Sequence, residues 1–512
     1  MKTLFRGARF LRVPSRTYAD WLLVEGGKIS ALGAGEDRPT ADRTVDLDGG
    51  IVHPAFVDAH VHLPATGLYA AGLDLRGEKK TASILGRLAE RAARSEGPLF
   101  GGNFEDPLDE PLDRNKLDHA VGARPALVAR ADMHSCVVSS TLLDGLDVSG
   151  LEGVDVDAEG RPTGYLREQA AAAAWSWFEG NLPRQEAIEA IRAAVRLAYS
   201  KGVASVHEMH IVEWRGWEAF DVLTEAVADM ALWVVPYIAA TDVQRVSDMG
   251  FHRIGGDYFL DGSFGSHTAW MKEPYTDPPP AGSPASGISY RDDDALFEFF
   301  REAQEADLQV GVHAIGDAAI EQAIGTWEKV AAEVGLAKVR SLGHRIEHFE
   351  CGTDDLIARA ADLRLRVSVQ PAFDRFWGGE EGLYASRIGV DRALGMNRFA
   401  SMLEAGLMVG AGSDSTVTPL DPFLQMVSLR SHHVEDEATG KIMALKLHTL
   451  GSRALAYGPG LDGSLEQGAV ADLVHVDRDP LRCSDEELLA TEVLGTWIAG
   501  RRVWPVAEAE VS

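Results

Sequence analysis

The chain has 512 residues, too many for one ordinary hydrophobic core and enough for one large domain with an appendage, or for two domains. A composition of 46% hydrophobic and 25% charged residues is that of a soluble globular protein. Its 49 basic and 78 acidic residues leave a formal charge of −29, which repels nucleic acid and anionic membrane surfaces, so neither is expected as a partner.

The N-terminal Met1-Lys-Thr-Leu-Phe-Arg-Gly-Ala-Arg-Phe carries charges where an export signal needs an apolar core, and no uninterrupted apolar run reaches ~18 residues. The three cysteines, Cys136, Cys351 and Cys483, are widely spaced and lack a Cys-x-x-Cys pair, so reduced thiols and a cytoplasmic location are expected. Residues 1–54 read as short strands, with Glu25-Gly-Gly and Asp48-Gly-Gly supplying hairpin-turn chemistry. A similar texture returns near the end, in Asp472-Leu-Val-His-Val-Asp and Val493-Leu-Gly-Thr-Trp-Ile. The termini are therefore expected to meet in one small β domain, residues 1–54 plus 455–512.

Between them, apolar strand-like runs alternate with amphipathic helical stretches, as in βα units around a parallel barrel. Candidate strands begin near Ala55, Val203, Leu232, Tyr258, Val310, His344, Leu365 and Met408, and eight is a barrel's number. The gap between the first two is far longer than one βα unit, so an insertion at about 66–185 is expected within a barrel spanning 55–454. Overall, the fold expected is α/β: a (β/α)8 TIM-like barrel with a small β-sandwich domain built from both termini and a large insertion after the first barrel strand.

His60 and His62 end the first apolar run. A strand points alternate side chains the same way, so both imidazoles face one side and offer two nitrogen ligands to one metal ion. His313, His348 and Asp414 each follow an apolar segment of their own, and ligands at several strand ends are what a barrel with a metal at its mouth requires. Neutral imidazoles and carboxylates suit zinc and related divalent ions. A carboxylate near activated water can accept its proton and later return it to a leaving nitrogen, the role read for Asp414; the alternative is a helix cap.

These segments stand in a telling order: Val57-Asp-Ala-His-Val-His62, Gly202-Val-Ala-Ser-Val-His-Glu-Met209, Asp261-Gly-Ser-Phe-Gly-Ser266, Val312-His-Ala-Ile-Gly-Asp317, Arg345-Ile-Glu-His348, Val369-Gln-Pro371, Gly412-Ser-Asp-Ser415 and Gly468-Ala-Val-Ala-Asp-Leu473. Over nearly its whole length the chain resembles the amidohydrolase superfamily, in the branch called amidohydrolase family 3, similar to N-substituted formamide deformylase. The resemblance places His313 and His348 on the fifth and sixth barrel strands as a second pair of ligands beside His60 and His62. It implies a metal-dependent hydrolase, with one or two divalent ions (zinc foremost), in which metal-activated hydroxide attacks a small N-acyl or N-formyl compound.

Relatives with two metals carry a carboxylated lysine on the fourth strand, whereas here Gly256-Asp-Tyr-Phe-Leu-Asp-Gly262 puts Asp257 at that position. A bridge there cannot be a carbamate. Glu168, in Pro162-Thr-Gly-Tyr-Leu-Arg-Glu168, is the other candidate metal carboxylate, or else a first-turn helix residue favoured by the macrodipole. His134 resembles a substrate-contacting histidine of the branch, or is structural, and Asp261 is a weaker substrate-binding candidate. His207 and Glu208 are expected at the mouth as supporting groups, Asp317 as a helix cap, and Trp377 in a pocket wall. The partner expected is a small molecule, and the family is compatible with a homodimer. Two other readings stay open: a metal-dependent deaminase of a cyclic or exocyclic amidine, and a metal-free homologue without catalysis.

Overall fold

The computed structural model describes the chain except residues 106, 131–134, 280–282, 457–462 and 506–512, and the side chain of residue 168. His134 therefore lies outside the described residues, and of Glu168 only its place as the first residue of helix Glu168–Gly180 is defined. The chain divides into two compact units, Met1–His62 with Leu197–Ile211 and Ala231–Ser512, and Leu63–Arg196 with Val212–Met230.

The first unit opens with β1 (Lys2–Arg12), β2 (Thr17–Glu25), β3 (Lys28–Gly33), β4 (Arg43–Asp46) and β5 (Ile51–Pro54), followed at once by β6 (Phe56–Val61). Gly26 and Gly27, both at positive φ, make the tight turn between β2 and β3 that their sequence implied. The second unit carries β7 (Leu73–Asp74), β8 (Leu99–Phe104), β9 (Ala126–Arg130), β10 (Ser135–Val138), β11 (Val154–Val156) and β12 (Pro162–Arg167), in one sheet of order β11-β12-β10-β9-β8-β7. Its core is built by Leu127, Ala129, Cys136, Val138, Leu166 and Phe178, among others.

Back in the first unit come β13 (Val203–Ile211), β14 (Trp233–Ala239), β15 (Arg253–Ile254), β16 (Gln309–Ala314), β17 (Arg345–His348), β18 (Arg366–Val369) and β19 (Met408–Ala411). With β6 they form the eight parallel strands of a (β/α)8 barrel: β14-β13-β6 on one side and β15-β16-β17-β18-β19 on the other. Two seams close it. Val61 bridges Ser415 between the first and eighth strands, and the Gly255 amide donates to the Ile238 carbonyl at 2.8 Å between the third and fourth.

The fourth strand departs from expectation. It starts at Arg253, five residues before Tyr258, and breaks after Ile254 at Gly255 and Gly256, both at positive φ. A Cβ on Gly255 would stand 2.0 Å from the Gly311 carbonyl oxygen, and one on Gly256 would stand 2.6 Å from the Met209 sulfur. Only glycine fits this close approach, and the bend delivers Asp257 into the barrel. The chain ends with β20 (Leu473–Val476), β21 (Val493–Ile498) and β22 (Arg501–Trp504), which join the first strands in one sheet of order β22-β21-β20-β5-β1-β2-β3, with β4 paired to β1. Phe5, Phe10, Leu22, Val24, Leu473 and Trp497 form its core, the Phe5 and Trp497 rings meeting edge to face at 5.6 Å.

Candidate metal centre

Strand alternation sends Asp58, His60 and His62 to one side of β6, so the two imidazoles share the barrel interior. His313 ends up there from β16 and His348 from the last position of β17. Ring centroids lie 5.5 Å apart for His60 and His62, 4.9 Å for His60 and His348, and 4.5 Å for His313 and His348. Four histidines from strands one, five and six thus form a continuous row.

Two backbone positions in this row are unusual for residues other than glycine. His348 has φ 71° and Asp414 φ 51°, left-handed conformations that a side-chain-bearing residue rarely adopts. At His348 the turn ends the strand. At Asp414 the backbone is held by its amide, which donates to the His60 carbonyl at 2.8 Å, while the His62 amide donates to the Ser415 carbonyl at 3.0 Å. These bonds fix the eighth strand's end against the first. Gly412 permits the approach, since a Cβ there would lie 2.5 Å from the His60 nitrogen.

Two carboxylates face the histidines. Asp257 stands 3.4 Å from His60 Nε2 and 3.1 Å from His62 Nε2, and Asp414 stands 3.6 Å and 3.2 Å from the same atoms. The Nε2 of His60, Oδ1 of Asp257 and Oδ1 of Asp414 are buried and have no hydrogen-bond partner. Buried polar atoms in that state are uncommon and ask for an explanation. Asp414 Oδ1 therefore caps no helix. Among the described residues, two groups have donor atoms all within 4.8 Å of one another: His60 with His62 and Asp414, and His60 with Asp257 and His348. Nitrogen and oxygen donors of this kind fit a divalent metal ion.

Three of the opposite ring nitrogens are engaged: His60 Nδ1 lies 3.0 Å from Glu347, His62 Nδ1 3.1 Å from the Met209 carbonyl, and His348 Nδ1 2.8 Å from Gln370 Oε1. His313 Nδ1 faces Asp261 at 3.3 Å and is buried without a hydrogen-bond partner. A carbonyl can only accept, so His62 donates from Nδ1, and Nε2 is the nitrogen that faces the two carboxylates. Burial disfavours a charged His62, but Asp257 and Asp414 outweigh it and push its pKa up to about 10. Burial likewise opposes protonation of His60 and is overcome by the same carboxylates, whereas Asp257 is held well below the usual carboxylate range because His60 and His62 more than offset its burial. Burial, then the His313 and His60 rings, drives His348 well below the ordinary imidazole value. The carboxylate side of the centre thus calls for positive charge, and the His348 side stays neutral.

Other expected residues take different places. The Asp261 carboxylate accepts from the amides of Trp270, Ile315 and Gly316 at 2.8 to 3.0 Å and is fully buried, so it ties the loop after the fifth strand and faces His313. Of the expected pair on β13, only His207 joins the interior, with Nδ1 2.7 Å from Arg345; Glu208 lies on the opposite face, 3.8 Å from His210, because successive residues of a strand alternate. Asp317 does not cap its helix: Gly316 holds the cap position and Asp317 accepts from the Lys272 amide at 2.8 Å. Trp377 packs 4.8 Å from Phe373, whose ring lies parallel to His348 at 5.9 Å. The roles of Met209, Arg345, Glu347 and Gln370 were missed from the sequence. Glu347 alone gave a signal, as an acid next to a candidate ligand in a strand.

A family model described as the amidohydrolase family matches residues 43–504. The YtcJ protein of Bacillus subtilis (strain 168) is 27% identical, over 98% of this chain and 99% of its own. N-substituted formamide deformylase of Arthrobacter pascens is 25% identical over 94% of each chain. Among solved structures, an uncharacterized metal-dependent hydrolase from Pyrococcus furiosus matches with TM-score 0.77 at 26% identity, covering 94% of this chain and 100% of its own.

Proposed function

We propose that this chain, which belongs to the amidohydrolase family, hydrolyses a non-peptide carbon–nitrogen bond in a small N-acyl or N-formyl compound. The coarser class, a metal-dependent hydrolase of carbon–nitrogen bonds, follows from the family and from its relatives. In our reading, His60, His62, His348, Asp257 and Asp414 hold one or two divalent ions, zinc foremost, with His313 completing the row. Asp257 takes the place that the resemblance assigns to a carboxylated lysine, one oxygen toward His60 and the other toward His62.

A bound divalent ion supplies Lewis acidity, lowering the pKa of water toward neutrality and polarising a carbonyl. The chain's own part is positional and acid–base. Asp414, with Oδ1 free of hydrogen bonds, takes the proton from the attacking water and returns it to the departing nitrogen. Its left-handed backbone, pinned to His60, keeps the carboxylate aimed at the row. Met209 and Gln370 hold the His62 and His348 rings by Nδ1, which leaves Nε2 of each as the nitrogen available to an ion.

One observation carries this reading: unpartnered Nε2 and carboxylate oxygens from three separate strand ends converge in a buried site. The test combines metal analysis of the purified protein with a screen of N-formyl amines and N-acyl amino acids, following release of formate or carboxylate. Ammonia release from a cyclic amidine, with no new carboxylate, would move the chemistry to deamination.

A further inference from the structure

We propose that the buried Arg345–Glu347 pair is a positioning device for His60, fixing its proton on Nδ1 and thereby making Nε2 the donor atom of the ligand row. The inference rests on the metal reading above and concerns what lies behind it.

Arg345 and Glu347 sit two apart on β17, so both side chains point into the barrel, and both are fully buried. The guanidinium makes a two-pronged pair with the carboxylate, Nε to Oε1 at 2.9 Å and Nη2 to Oε2 at 2.7 Å. The same Oε2 lies 3.0 Å from His60 Nδ1. A carboxylate gripped in this two-pronged way by a buried guanidinium stays ionised. An ionised carboxylate can only accept, so His60 must donate from Nδ1.

The arginine is itself over-determined. Nη2 also donates to the Ala59 carbonyl at 3.0 Å, Nη1 meets His207 Nδ1 at 2.7 Å, and the guanidinium lies 4.4 Å from the centre of the Tyr237 ring. Strands one, two, three and six are thereby tied to one cation. Space is reserved as well: a Cβ on Gly311 would come 3.3 Å from Glu347 Oε1 and 2.7 Å from the Gly256 nitrogen.

Stability alone does not explain this arrangement, because a buried ion pair is commonly matched by apolar residues of similar volume. What apolar residues cannot do is choose a tautomer. His60 is also the one residue common to both candidate donor groups, and the one ligand whose rear nitrogen meets a charged acceptor locked by arginine; His62 and His348 meet neutral oxygens. A carboxylate behind a ligating imidazole raises its basicity and fixes its ring, and loss of such a partner weakens metal binding roughly 10- to 100-fold.

The experiment uses the full chain, with cobalt(II) as the probe. Arg345→Met/Glu347→Leu removes the pair without stranding a charge, and Arg345→Met/Glu347→Gln keeps a neutral acceptor for His60. Affinity is read by competition with a chromophoric chelator, ring geometry by the visible spectrum of bound cobalt, and folding by thermal melting. The expected order is wild type tightest, the glutamine variant intermediate and the leucine variant weaker than wild type by roughly 10- to 100-fold, with an altered spectrum. Equal affinity and an identical spectrum in a folded leucine variant overturn the inference. Should that variant fail to fold, the glutamine variant decides alone, and wild-type affinity with an unchanged spectrum in it overturns the inference equally. A wild-type protein that takes up no cobalt overturns the metal reading first and this inference with it.

Discussion

The barrel mouth and the terminal sheet bury opposite kinds of side chain. In the sheet the buried groups are Phe5, Phe10, Leu22, Val24 and Trp497, whose removal from water is favourable by roughly 25 cal/mol per Å² of apolar surface. At the mouth they are His60, Asp257, Glu347, His348 and Asp414, all under 10% exposed. Buried charge costs free energy unless each group is paired. The sheet therefore stabilises the unit, while the mouth preserves an arrangement that stability would not select. Substitutions in the two places should separate activity from stability.

The largest effect is expected at the mouth. Asp414→Asn should lower kcat by roughly 10²- to 10⁴-fold, the usual contribution of a general acid–base group, with metal content and melting temperature nearly unchanged. Retained turnover would remove Asp414 from the chemistry. In the sheet, Phe10→Ala empties a fully buried position and should cost about 3 to 5 kcal/mol in denaturant unfolding. Its kcat per folded molecule should stay at the wild-type value, and a parallel fall in kcat would dissolve the contrast between the two regions.

Asp257→Asn sharpens the comparison within the mouth. Metal affinity, measured by chelator competition, should fall at least roughly tenfold; an unaltered affinity would return the site to His60, His62 and Asp414. Two imidazoles away from the histidine row supply the smallest effect. Burial lowers His53, in the sheet, to about 4 despite its hydrogen bond to the Pro54 carbonyl, and lowers His448, near the barrel's last strand, to about 3. As pH falls through about 6.5 the unfolded chain takes up these protons while the folded chain does not. Stability is thus lost with falling pH below about 6.5, and the loss levels off near the folded values of about 4 and about 3. His448→Phe should remove close to one proton, about 1.4 kcal/mol per pH unit, from the slope of unfolding free energy between those limits. An unchanged slope would mean that His448 titrates alike in both states.

The residues that meet at the barrel mouth were legible because their signals are local. His60 and His62 obey the period of a strand, and His313, His348 and Asp414 close apolar runs of their own. Asp257 was visible as an acid at a position where the resemblance calls for lysine. What holds these residues was not legible, since it is tertiary: the partner of His62 is a backbone carbonyl 147 positions away, and that of His60 lies 287 positions away. The left-handed backbones at His348 and Asp414 left no trace either, because neither residue is glycine. The fourth strand was placed late, near Tyr258, because Gly255 and Gly256 break it where it crosses close against Gly311 and Met209. Asp261 drew attention by its motif, yet its carboxylate binds three backbone amides, a use that composition cannot foretell.

The most direct measurement is the divalent metal content of the protein purified without chelators, compared with that of His60→Ala/His62→Ala prepared in the same way. The account predicts about one or two ions per chain in the wild type and substantial loss in the variant, both proteins remaining folded. Equal metal content in the two would contradict it, because the ion would then be held somewhere other than the row of strand ends.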